Sequence, residues 1–195
     1  MARISLLLLC LSSSTVLYAQ AFGVQMGVPV SKYQARVAGD GTDPNAFRIT
    51  VPEPNSEFEG YLAFATPQTG VCKVIGLGKT HANDAYGTET RSAFDRFRSA
   101  LVARYGKSSD YDFLRSGALW KEPQEWVWSI YKKERTMTSF WIPSSGAVLP
   151  AELSAIRLDA RSINPASGAY LVLDYEFANF AQCKKLMDQR DNSGL

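Results

Sequence analysis

The chain has 195 residues, a formal net charge of +2, and 46% hydrophobic and 21% charged residues. That balance is ordinary for one globular domain. It lacks the strong basic excess of a nucleic-acid footprint, so no nucleic-acid partner is expected. Aromatic residues reach 12%, more than usual.

The first 21 residues read MARISLLLLCLSSSTVLYAQA. Arg3 gives a basic start, Ile4 to Leu11 an apolar run, and Ala19-Gln20-Ala21 an A-x-A cleavage site, which is the layout of a secretory signal peptide. The apolar run falls short of the about 20 residues that span a bilayer. Later apolar runs are shorter than a span too, so no transmembrane segment is expected. Removing residues 1–21 leaves 22–195, about 170 residues, enough for a single domain with its own core. It also removes Cys10, leaving Cys72 and Cys183. In a periplasmic or secreted protein an even cysteine count predicts a bridge, here Cys72–Cys183.

Along the mature chain, Val30 to Val37 follows Pro29 and predicts a short helix. AGDGTDPNA is a loop rich in turn residues. FRITV (47–51), FEGYLAFAT (58–66) and VCKVIGL (71–77) read as three antiparallel strands joined by short turns. TETRSAFDRFRSALVARYG predicts the clearest helix, with Thr88 as cap, Phe94, Phe97, Leu101 and Tyr105 on one stripe, and Gly106 at its end. Residues 107–112, KSSDYD, read as loop. EPQEWVWSIYKKER predicts a weaker second helix. TMTSFWI (136–142), LSAIRLDARSI (153–163) and AYLVLDYEF (169–177) predict three more strands. The middle one sets Ala155, Arg157, Asp159 and Arg161 against Ile156, Leu158 and Ala160, the pattern of a sheet wet on one side. ANFAQCKKLMDQR closes the chain as a helix.

Strands in runs, joined by short turns, predict an α+β domain: an antiparallel sheet of about six strands with helices packed on one face. The two three-strand runs, each followed by a helix, suggest a loose pseudo-duplication.

The candidate chemistry is sparse. Gly78-Lys79-Thr80 looks like the tail of a phosphate-binding loop, but the pattern needs a glycine where Lys73 stands and a helix where HANDAYGTE intervenes. No nucleotide or other cofactor is expected. His81 is the only histidine, which excludes metal sites built on two or three imidazoles, and no metal site is expected. Glu122, Glu125, Glu134, Asp174 and Glu176 are candidates for paired-carboxylate glycosidase chemistry, although no spacing singles out a pair. The unusual feature is LWKEPQEWVWSIYKKERTMTSFW, which holds all four tryptophans. Trp120, Trp126, Trp128, Tyr131 and Trp141 form a candidate binding patch. Trp126 and Trp128 are two residues apart, so on a helix one faces the core and the other the surface.

FGVQMG (22–27) and ARYGK (103–107) resemble segments of small exported bacterial α+β proteins, and no functional residue carries over from them. The sequence reading is an exported, non-catalytic binding module of the cell envelope, such as an inhibitor, immunity protein or assembly factor. The alternative is an envelope glycan hydrolase using Glu125, Glu134, Asp174 or Glu176.

Overall fold

The computed structural model describes residues 21–39 and 43–191. The expected export signal, residues 1–21, lies outside the described residues except for Ala21, which is buried and bridged to Val24.

Among the described residues there are one eight-stranded antiparallel sheet and three α-helices. The strands are β1 (Arg36–Val37), β2 (Ala46–Arg48), β3 (Phe58–Thr66), β4 (Gly70–Gly78), β5 (Ser109–Leu114), β6 (Arg135–Trp141), β7 (Leu153–Asn164) and β8 (Gly168–Phe177). The helices are α1 (Thr88–Tyr105), α2 (Trp126–Tyr131) and α3 (Phe180–Asp191). The sheet order β1-β2-β3-β4-β8-β7-β6-β5 sets two four-stranded meanders back to back, joined where β4 pairs with β8. Each meander is followed by a helix that crosses to the other half: α1 contacts β7 and β8, and α3 contacts β3 and β4.

The sheet has eight strands where about six were expected, and both additions are edges. The helix predicted over Val30 to Val37 is a single 3-10 turn, Val30–Tyr33, stopped by Gln34 in the left-handed region at φ 51°. Arg36 and Val37 then pair with Arg48 and Phe47. β5 begins inside the predicted loop over 107–112, runs on to Leu114 and pairs along its length with β6. An edge strand satisfies its backbone on one side only and stays largely wet, so it shows little apolar alternation to read.

Alternate residues of a strand point to opposite faces. Phe97 of α1 meets Phe58 of β3 edge-on, with ring centroids 5.3 Å apart. Phe22 packs edge-on against Phe58, Tyr61 and Tyr175, with ring centroids 5.2, 4.8 and 5.6 Å apart. Burial in this core pushes the Tyr175 phenol well above its usual range. Lys73 points to the other face, where its Nζ sits 5.3 Å from the ring of Phe180. Helix α3 thus meets the sheet at β3 and β4. The Cys72–Cys183 disulfide ties α3 to β4. No described helix is long and apolar enough to cross a membrane.

The glycines of VIGLG are fixed by packing. A Cβ on Gly76 would lie 2.8 Å from the Phe58 ring, and one on Gly78 would lie 2.9 Å from the Leu171 carbonyl oxygen. The amides of Lys79 and His81 donate to the carbonyls of Glu57 and Ala169.

Helix α1 starts differently from the expectation. Thr88 is its first residue, and Asp84 caps it by accepting hydrogen bonds from the amides of Thr88 and Glu89, both at 2.8 Å. Gly87 precedes it at φ +65°, where a Cβ would fall 2.0 Å from the Trp126 indole. The Gly87→Ala variant combines a left-handed alanine with a core clash. It is expected to destabilise the domain by about 2–3 kcal/mol in a denaturant titration.

Candidate functional site

The four tryptophans separate into two pairs. Trp126 and Trp141 are buried in the core, and Trp141 donates from its indole nitrogen to the carbonyl of Gly106 at 3.1 Å. Both are core residues, set apart from the exposed members of the expected patch. Trp120 and Trp128 stack face to face, with centroids 4.6 Å apart and ring planes 13° from parallel. Tyr131 stands edge-on to Trp128 at 5.9 Å. The Lys132 ammonium lies 5.8 Å from the Trp128 centroid and 5.1 Å from that of Tyr131. Trp128 is 38% exposed, Tyr131 36% and the neighbouring Leu119 80%.

Local chemistry builds this arrangement. Glu122 and Glu125 form a capping box around Pro123, and Glu125 Oε2 accepts from the amides of Lys121 and Glu122 at 3.1 and 3.0 Å. The turn leads directly into α2, where a two-residue step reverses the direction of a side chain. Trp126 therefore enters the core under Gly87, and Trp128 faces out. Trp120 arrives from the loop after β5. The buried carboxylate of Glu134 holds that loop, its Oε2 accepting from the amides of Leu119 and Trp120 at 2.8 and 2.9 Å. The backbone carbonyl of Glu134 also accepts from Arg115 at 2.8 Å. Glu134 thus positions the tryptophan stack. Nothing in the local sequence reveals this, because the contact depends on a loop fifteen residues away folding back.

The remaining candidate carboxylates lie on the sheet face that carries Lys73. Asp174 is 2% exposed and pairs with Lys73 at 3.3 Å and with Arg157. Glu176 accepts from Lys73 at 3.2 Å. Asp159, also buried, accepts from Thr138 at 2.6 Å and pairs with Arg157 and Arg161 at 3.1 and 2.8 Å. The structure does not gather Glu125, Glu134, Asp174 and Glu176 into one site. The first two hold backbone amides, and the last two share Lys73. His81 contacts Glu89 through Nδ1 at 3.0 Å.

A second ionic cluster, which the sequence reading missed, fastens β5 to α1. Asp110 accepts from Arg98, from Ser108 at 2.7 Å and from Ser139 at 2.6 Å. The Arg98 guanidinium, aided by the two hydroxyls, lowers the carboxyl from 3.8 to about 2. A depressed carboxyl stabilises the fold fully above its unfolded value, and that contribution disappears as pH falls through the folded one. Wild-type stability should therefore decline from pH 4 to pH 2 partly through Asp110. The Asp110→Asn variant is expected to show a shallower decline in a series of thermal melts across that window.

Comparison with protein-family models, curated proteins and solved structures finds no match to this chain.

Proposed function

We propose that this protein is an exported, non-catalytic binding module of the cell envelope, periplasmic or secreted, which docks a protein partner through the surface built on Trp128. The single observation that carries the reading is the exposure of Trp128 and Tyr131 on a stacked indole pair, with exposed Leu119 next to Trp120 in the chain. Large aromatic side chains left wet and held rigid by neighbours are the usual anchors of protein interfaces. Glu134 and the capping box hold the patch in place before any partner arrives, which reduces the ordering cost of binding. The compartment is supported by the Cys72–Cys183 bridge, because disulfides persist in oxidising environments.

The Trp128→Ala variant tests the reading. Its indole is on the surface, so the fold should persist with an unchanged melting temperature. Loss of a central anchor costs about 2 kcal/mol or more of binding energy. The wild-type protein should retain an envelope partner that the variant releases. A folded Trp128→Ala protein that retains the same partner with equal affinity would remove the patch from consideration.

A further inference from the structure

Beside the aromatic patch lies a cavity of about 470 Å³, within the size range of ligand clefts. Lys133, Arg135 and Arg161 line it, together with Met137 and the buried carboxylate of Asp159. Tyr131 belongs to both surfaces: it lines the cavity and touches Trp128.

The charge on this region is uneven. Asp159 is already engaged by Thr138, Arg157 and Arg161. Glu134 is turned inward onto the amides of Leu119 and Trp120. Arg135 pairs with Asp112 at 3.3 Å, yet its Nε–H has no acceptor among the described residues. Lys132 and Lys133 are exposed and have no ion-pair partner among the described residues. The aromatic patch is thus bordered by uncompensated cations, on a chain whose formal net charge is only +2.

We infer that the partner presents an acidic amphipathic segment, whose apolar residues cover Trp120 and Trp128 and whose carboxylate enters the cavity lined by Lys133, Arg135 and Arg161. The inference rests on the docking reading above and specifies the chemistry of its partner. Complementary charge across an interface steers encounter and selects partners, and the apolar contacts supply most of the affinity. An anionic bilayer also favours Trp, Tyr and Lys at its surface. Arg135, only 22% exposed with its Nε buried, is out of reach of a flat headgroup layer, however, whereas a side chain can enter.

The test measures fluorescence anisotropy with a labelled peptide that alternates Glu with Leu and Phe. The same peptide with Lys in place of Glu, and vesicles of anionic phospholipid, serve as comparisons. The acidic peptide should bind, and the lysine peptide and the vesicles should not. Raising the salt concentration should weaken the complex. Lys133→Glu, and separately Lys132→Glu, should each weaken it by about tenfold or more with unchanged melting temperatures, because like charges then meet across the interface. Equal binding of the two peptides, no binding of the acidic one, preference for the vesicles, or wild-type affinity in both charge-reversed variants would overturn the inference. The Trp128→Ala variant separates the two claims. If it loses the envelope partner while Lys133→Glu and Lys132→Glu keep it, the docking surface stands and the acidic partner falls. If Trp128→Ala keeps acidic-peptide affinity that Lys133→Glu loses, the cavity stands and the patch falls.

Discussion

Replacing Cys72 and Cys183 together by Ser is expected to lower the stability of the domain by about 4–5 kcal/mol, the figure that chain entropy allows for a loop of this length. The two residues are 111 apart in sequence, so the bridge restricts most of the unfolded chain. The corresponding fall in melting temperature is roughly 10–20 °C for a domain of this size. Thermal melts of the wild type with and without reductant, beside the double variant, measure it. The loss should appear first in α3. Apart from the bridge, the Phe180–Lys73 contact fastens this helix, and Asn179 just before it donates to the carbonyls of Thr69 and Val71 at 3.0 and 3.2 Å. Amide exchange should therefore rise in α3 before it rises in β3, β4 and β8. Equal melting temperatures with and without the bridge would contradict this account of how α3 is held.

The second large effect is expected at Asp174. Its carboxylate lies almost fully buried between Lys73 of β4 and Arg157 of β7, and one oxygen, Oδ2, meets both cations. Asp174→Ala leaves two largely covered cations, Lys73 at 13% and Arg157 at 34% exposed, without their shared counter-charge. Breaking a buried pair from one side typically costs about 3–5 kcal/mol. A double replacement, Asp174→Leu with Lys73→Met, removes one anion and one cation, leaves Arg157 paired with Asp159, and should recover much of that loss. The recovery, read as a coupling energy in a double-mutant cycle, distinguishes an ionic role from simple packing. A single variant that costs less than about 1 kcal/mol would show that water compensates the cluster.

The sequence made some elements plain and concealed others for physical reasons. β3 was placed residue for residue, β4 to within a residue at each end, and α1 ended at Gly106, because each presents one buried face and a clear period. The cysteine pair followed from counting. β5 was hidden because Ser109, Asp110 and Asp112 look like turn residues. They sit in a strand because Arg98 and Arg135 neutralise the two carboxylates and β6 supplies the ladder. β1 was hidden because its two residues pair only through a fold that Gln34 redirects. At the candidate site the tryptophan-rich segment was evident, and the two-residue step separating Trp126 from Trp128 was readable as a change of face. The burial of Trp141 depends on the register of β6 against β7, where it pairs with Ile156, and on the approach of Gly106. The role of Glu134 depends on tertiary folding of the loop that carries Trp120. Both are long-range facts that no local pattern encodes.

The central claim is that the Leu119–Trp128–Tyr131 surface meets a partner in the envelope. Site-specific photocrosslinking in intact cells tests it most directly, with the photoreactive residue placed at Leu119 in one experiment and at Val37, exposed on the opposite edge strand, in another. The account predicts a discrete adduct from Leu119 that vanishes when Trp128→Ala is added, and none from Val37. An adduct from Val37 with none from Leu119 would contradict it.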